Sequence, residues 1–313
     1  MPRYIARRLL LAVPTLLMVL TVVFVLIRIV PGDPALTILG DQASQEAIRE
    51  LRTRIGLDQP LYVQYADFLG HAIRGDLGNS MVSGQPVLKQ VWEVMPYTAE
   101  LTVAAIVLGV VIGLPCGVLA ATRRNRFPDY VTRIVSLLGL SFPSFVSAIL
   151  LILVFAIYLG WFPVITASDL SHPLTRMRNL VLPAVCLGAI MAAYVTRVTR
   201  SSMLAVLGED YVRTARAKGL PRGVIVWRHA LRNALIPVST VVGLYLGILI
   251  GNSVLVEVVF ARPGLGKLIV GALSQRDYTL LQGLMVVYAF IIVLVNLLTD
   301  LTYALVDPRV RLP

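Results

Sequence analysis

The stretch "GEDYVRTARAKGLPRGVIVWRHALRNALIPV", Gly208 to Val238, decides how the chain folds. It is crowded with Arg213, Arg216, Lys218, Arg222, Arg228 and Arg232, yet it lies between two apolar runs long enough to cross a bilayer. Charge of that density does not sit in hydrocarbon, so the segment marks a membrane surface. Its pattern predicts a short helix around Tyr211, Ala215, Ala217 and Lys218, stopped by Gly219 and Pro221. A second run, from about Gly223 to Leu235, turns back into the next span. A bare connection needs neither a Gly stop nor two helices. The segment therefore reads as a helix–turn–helix-like docking element for a soluble partner, with a solvated loop as the plainer alternative.

The rest of the composition supports a membrane protein. Of 313 residues, 57% are hydrophobic and 14% charged, against about 25% charged in an average soluble chain. The apolar residues come in blocks, predicting an all-α integral membrane fold with six transmembrane helices. The spans are Leu9–Val30, an uncleaved first helix containing Pro14, then about Thr98–Ala121, Tyr130–Tyr158 with Pro143 inside, Leu180–Thr199, Asn233–Val256 and Leu280–Val306. Residues 1–97 form the first helix and a long extracytoplasmic loop. Residues 98–313 form a core of five helices, with the basic docking segment over 201–232.

Charge placement gives an orientation. The N-terminus, the second-to-third and fourth-to-fifth connections and the C-terminus together hold seventeen basic residues and four acids. The other face holds ten basic residues and eleven acids. The positive-inside rule puts both termini in the cytoplasm. A net charge of +11 then needs no nucleic acid to explain it. In the first outer loop, "SQEAIRELRTRIGL" reads as a helix capped by Ser44, with Ile48, Leu51 and Ile55 on one face, and "VQYADFLGHAIRGDLG" as a second helix.

Catalytic chemistry finds little support. "PGLGK", Pro263 to Lys267, lacks the upstream Gly of a phosphate loop, since Ala261 stands there, and Leu268 replaces the Ser or Thr. It reads as a tight turn. His71, His172 and His229 have no metal-ligand spacing, no metal site is expected, and Cys116 and Cys186 read as buried free thiols. Asp300, about two turns from the end of the sixth span, is the one intramembrane polar candidate; an interfacial carboxylate paired with an inner-face Arg is the favoured plainer reading, since the side chain can reach the interface. Glu100 is expected to meet water and Arg28 to reach outward.

These segments resemble the permease subunits of bacterial ATP-binding-cassette importers. Arg213-Thr214-Ala215, ahead of Gly219, stands where that family has Glu-Ala-Ala ahead of an invariant Gly, and Ile236-Pro237 stands for a downstream Leu-Pro at longer distance. Both departures match the dipeptide/oligopeptide/nickel branch. "RIVPGDPA", "IGLDQPLYVQY", "RGDLGNSMVSGQPV" and "VVFARPGLGKLIVGALSQRDYTLLQG" also look like that branch's first permease subunit, across essentially the whole chain.

The resemblance implies a type I importer permease fold in a bacterial cell membrane. It also implies a second homologous permease, two ATPase subunits that bind the ATP, an extracytoplasmic substrate-binding protein and surrounding lipid, with no cofactor of the chain's own. Tyr211, Arg213, Thr214, Ala215, Arg216, Lys218, Gly219 and Leu220 would couple to the ATPase, with Arg213 to Leu220 as the helix that enters its groove. Pro263, Gly264, Gly266, Arg276 and Asp277 would form an extracytoplasmic loop or gate. The implied cargo is dipeptides or oligopeptides, with a nickel chelate, glutathione or another small solute as alternatives. A membrane anchor for a soluble complex and an ion-coupled transporter are the readings from other classes.

Overall fold

The computed structural model describes residues 2–29, 34–40, 43–54, 56–164 and 173–306. Among them the structure is helical, apart from turns and one isolated bridge between Asn79 and Pro86. The helices are α1 (Pro2–Ile29), α2 (Pro34–Leu39), α3 (Gln45–Arg54), α4 (Leu61–Ile73), α5 (Val87–Thr122), α6 (Phe127–Ser141) and α7 (Ser144–Leu151), the last continuing as a π-helix to Tyr158. Then come α8 (Pro173–Val206), α9 (Asp210–Ala217), α10 (Arg222–Val224), which runs through a π-helical stretch into α11 (Leu231–Val259), α12 (Leu265–Ser274) and α13 (Tyr278–Val306).

Among the described residues, five helical segments are long and apolar enough to cross a membrane: Leu10–Ile29, Val87–Thr122, Pro173–Val206, Arg222–Val259 and Tyr278–Thr299. The expected third span, Tyr130–Tyr158 with Pro143 inside, is not one continuous helix. It breaks into α6 and α7, bent by 105°; counted as one bent span, it makes six. The cause is local. Phe142 precedes Pro143, and the proline ring drives the preceding residue out of the helical region. Phe142 is accordingly extended (φ −88, ψ 130), and Pro143 starts α7.

Two compact units divide the chain: residues 2–98 with 263–297, and 99–262 with 298–313. In the second of these, α8 is the central element, with 67% of its apolar window buried against 22–33% for the other spans. Sequence explains how α5 reaches it. Gly109, Gly113 and Gly117 recur every fourth residue and so share one face of α5. They meet Met191, Val195 and Thr199 of α8, also four apart. A Cβ at Gly113 would fall 2.7 Å from the Val195 Cβ and 2.8 Å from the Ala192 carbonyl. Thr196 Oγ1 donates to the Gly113 carbonyl across this contact (3.3 Å). Small residues permit such approach where no hydrophobic force drives helices together. Around it pack Leu101, Ala105, Leu187, Leu249 and Val256. Cys186 is buried as expected, whereas Cys116 is only half-buried; both are free thiols.

In the first unit, the two helices read from residues 44–57 and 63–78 form close to where the sequence places them. Ser44 Oγ accepts the Ala47 N–H (3.2 Å), capping α3, and Ile48 is buried; Ile55 lies outside the described residues. Helix α4 lies along α1, with Tyr65 edge-on to Phe24 and Phe68 stacked on the same ring. Arg28 does not simply reach outward. Its guanidinium lies 3.6 Å from the Phe24 ring centre and donates twice to Gln64 Oε1 (3.0 and 3.2 Å).

Candidate functional site

Helix α9 carries the opening segment. It begins at Asp210 and ends at Ala217, three residues earlier at both ends than the Arg213–Leu220 helix expected from sequence. The early start has a physical reason: Asp210 complements the positive end of the helix dipole and Arg216 the negative end. The stop falls at the Gly219 that the sequence marks, as a Schellman motif. Leu220 N–H bonds to the Ala215 carbonyl (3.3 Å) and Gly219 N–H to the Arg216 carbonyl (3.0 Å). Gly219 takes φ +74, the left-handed conformation this motif demands. A Cβ there would meet nothing within 4 Å, so conformation within this chain, not crowding, calls for glycine.

The candidates on α9 divide by face. Val212 and Ala215 are buried against Ile225, with Val206 and Leu207 alongside. Ala215 therefore seats the helix on the protein. Arg213, Thr214, Arg216, Lys218, Gly219 and Leu220 face outward. Tyr211 is exposed but anchored, its hydroxyl accepting from Asn233 Nδ2 (2.6 Å). The turn after α9 is tied to the end of α5, where Arg222 donates to the Thr122 carbonyl (2.9 Å). Between these elements lies a cleft of about 650 Å³ bordered by Arg124, Arg216, Leu220 and Arg222. The pair between Arg213 and Asp210 (3.4 Å) is open to solvent and contributes little.

A second set of candidates meets in the other unit. Asp277 is 1% exposed. Its carboxylate accepts from Ser80 Oγ (2.5 Å), from the Met81 and Val82 N–H groups (3.1 and 3.3 Å) and from Leu280 N–H (3.0 Å). One side chain thus caps α13 and fixes the 80–85 turn, joining two of the motifs read from sequence. Arg276, exposed, holds φ +52 just before it. Pro263, Gly264, Lys267 and Asp277 border a cavity of about 410 Å³ with Ser80, Ser83 and Gln90. Gly266 is buried in α12. "PGLGK" is not a tight turn: Gly264 is the N-cap of α12 and Lys267 lies in its first turn. The Leu265 N–H is taken by Thr98 Oγ1 (2.9 Å), which meets an otherwise orphaned helix-start donor. Asp300 belongs to α13, but its side chain lies outside the described residues.

Two ion-pair clusters escaped the sequence reading. Glu100 is not simply hydrated. It accepts from Arg176 (3.1 Å) and from Arg262 (2.7 Å), whose side chain is wholly buried. Burial pulls the Arg262 guanidinium below its ordinary pKa, while Glu100 and Glu257 oppose that shift. Glu257 is also fully buried, an acid inside the apolar run "VLVEVVF" that could have signalled a partner. The second cluster is Asp129, fully buried and gripped through both oxygens by Arg200 (2.6 and 2.9 Å), with the Asn125 N–H adding a third bond (2.9 Å).

Residues 113–312 match the family described as "Binding-protein-dependent transport system inner membrane component", and residues 1–102 match its N-terminal region. The chain belongs to that family. As a permease of this kind it is a multi-pass inner-membrane protein and a transport subunit that works with ATPase and other subunits, and ATP hydrolysis belongs to the separate ATPase subunits. The permease is 40% identical to the "Dipeptide transport system permease protein DppB" of Alkalihalophilus pseudofirmus, over 98% of this chain and 99% of that one. It is 42% identical to the "Glutathione transport system permease protein GsiC" of Escherichia coli strain K12, over 99% of each. The permease also shares its fold with solved type I importers. One is the inward-facing MetNI methionine ABC transporter (TM-score 0.57, 20% identity, 70% of this chain and 96% of that one). Another is an amino acid ABC transporter with histidines (TM-score 0.54, 16% identity, 69% and 94%).

Proposed function

We propose that this permease imports dipeptides and oligopeptides, as one of two homologous membrane subunits above a pair of ATPases, with an extracytoplasmic binding protein delivering the cargo. The observation that carries the coupling role is the architecture of α9: one face seated through Val212 and Ala215, the other offering Arg213, Thr214, Arg216 and Lys218, and a Schellman stop at Gly219. A ligand shifts a conformational equilibrium only by its differential affinity for two states. ATP acts on the partner subunits, so the permease needs a stiff element to receive their movement. A short helix seated on its own core and terminated rigidly meets that need. ATP stays with the partners, and the permease needs no cofactor of its own.

The peptide assignment is supported by the relative named for dipeptide transport. The 42% identity to relatives named for glutathione transport favours glutathione, itself a tripeptide, as the second reading. The complex of both permeases, both ATPases and the binding protein, reconstituted into liposomes, tests the choice. ATP-dependent uptake of labelled dipeptides, longer peptides, glutathione and a nickel chelate is compared. Peptide uptake is expected. Uptake of glutathione alone would replace the cargo, and uptake of the metal chelate alone would remove peptides from the account.

A further inference from the structure

A cavity of about 530 Å³ opens between α6 and α8, lined by Arg133, Arg197, Arg200, Tyr130 and Ser136 and by the apolar residues Ile134, Leu137 and Leu140. Arg200 is committed to Asp129. Arg133 and Arg197 are not in ion pairs among the described residues. Each lies near a tyrosine ring instead, Arg133 at 5.9 Å from the Tyr130 centre and Arg197 at 5.3 Å from that of Tyr194. Asp129 also attracts Arg133, but it is already paired with Arg200, so the three guanidiniums of the cavity outnumber this carboxylate by two positive charges.

The placement of those charges identifies what would neutralise them. Arg133 lies about two turns from the start of α6, and Arg197 and Arg200 about two to three turns from the end of α8. These are the helix ends nearest α9. From Arg133 the lining becomes apolar along α6 through Ile134, Leu137 and Leu140, and the adjoining flank of Ile134, Val135, Leu137 and Leu138 is more than half exposed. Basic and aromatic residues at a helix end, followed by open apolar surface, match the boundary between headgroup and acyl chain. A soluble anion would use the arginines and leave the apolar flank bare. An anionic amphiphile uses both.

We propose that this cavity binds an anionic phospholipid from the leaflet on the α9 side. Its phosphate is held by Arg133 and Arg197 with Ser136, and an acyl chain lies along Ile134, Leu137 and Leu140. Juxtamembrane arginines attract acidic headgroups, and a guanidinium pairs with phosphate oxygens through two parallel N–H bonds. Because α8 leads through Gly208 into α9, the lipid braces the base of the coupling element.

The test uses the assembled complex in nanodiscs of phosphatidylcholine, alone or mixed with phosphatidylglycerol, with retained lipid counted by native mass spectrometry. Wild type is expected to retain phosphatidylglycerol. The Arg133→Gln/Arg197→Gln variant, with the Arg200–Asp129 pair intact, should bind it roughly thirty-fold more weakly. Should the double variant not assemble, Arg133→Gln alone, expected to lose about fivefold, carries the same comparison. Arg123→Gln/Arg126→Gln, at positions outside the cavity, should retain lipid as wild type does. Equal retention by the cavity variant and wild type overturns the site, and so does equal loss in the outside pair, which would reduce the effect to general charge attraction. A labelled dipeptide or inorganic phosphate is then offered to complexes in phosphatidylcholine discs. Binding that disappears with Arg133 and Arg197 would assign the cavity to a soluble anion and overturn the lipid.

Discussion

Gly219 shows how much one residue can specify. The sequence left two reasons for a glycine there, a left-handed backbone or a partner too close for a side chain. The structure supplies the first, with φ +74 and open space around the missing Cβ. Left-handed backbone costs a non-glycine residue about 1–2 kcal/mol, and more when the side chain is β-branched and clashes with its own peptide. Gly219→Val should thus unwind the Schellman stop and misplace Lys218 and Leu220 while leaving membrane insertion intact. Gly219→Asn, which tolerates this conformation, should be much milder. Co-purification of the ATPase subunits and substrate-stimulated hydrolysis are the measurements. Wild-type values of both in the valine variant would return α9 to an ordinary basic loop. At the same scale, Asp277, a loop or gate candidate from the sequence, has a structural role as well. It serves as the cap of α13 and the clasp of the 80–85 turn, and nothing in residue type alone reveals four hydrogen bonds converging from two distant motifs.

At the scale of elements, periodicity made α3, α4, α9 and the long spans legible, and local chemistry explains where it failed. The Phe142–Pro143 pair was visible, but apolar length gave no sign that the chain would turn by 105° there and not merely kink. Glu100, Asp129 and Arg262 were visible as charges, yet their partners are 76, 71 and 162 residues away, and a single sequence carries no record of such pairs. The glycine row of α5 is equally visible in the sequence as a spacing of four, but the α8 face that it meets is not. It yields a sharp contrast between glycines. Leucine at Gly113 must displace Val195 and the α8 backbone, an overpacking cost of about 1–3 kcal/mol or more. Alanine there already places a Cβ inside contact distance of both. Gly251 of α11 has nothing within 4 Å, so Gly251→Ala should be neutral or slightly stabilising, since alanine favours a helix by about 1 kcal/mol over glycine. Thermal unfolding of the detergent-purified complex should rank the variants wild type ≈ Gly251→Ala > Gly113→Ala > Gly113→Leu. A Gly113→Leu complex as stable as wild type would mean that α5 and α8 do not approach through this row.

For the whole molecule, the bent third span makes orientation the decisive question. If α6 and α7 together cross the bilayer, the chain has six spans and its termini share a side. If they enter and return, five spans put the termini on opposite sides. Charge placement separates the two readings. With six crossings, the seventeen basic residues at the N-terminus, the 123–133 and 197–232 segments and the C-terminus share a face with four acids. With a re-entrant pair, the 197–232 segment falls on the face opposite the 123–133 segment, and the bias on which insertion depends is divided between both sides. Under the positive-inside rule the six-span arrangement would also set α9 on the side of the ATP, as the proposed coupling role requires. A reporter fused after Pro313 should therefore give a cytoplasmic signal. A reporter inserted beside Gly84, at the tip of the turn clasped by Asp277, should give an external one. A third, beside Gly208, should match the C-terminal signal. A cytoplasmic reading at Gly208 with an external reading at Pro313 would leave an odd number of crossings between them and demand a break in α11 or α13. External readings at both Gly208 and Pro313, with a cytoplasmic one at Gly84, would invert the molecule and remove α9 from any contact with an ATPase.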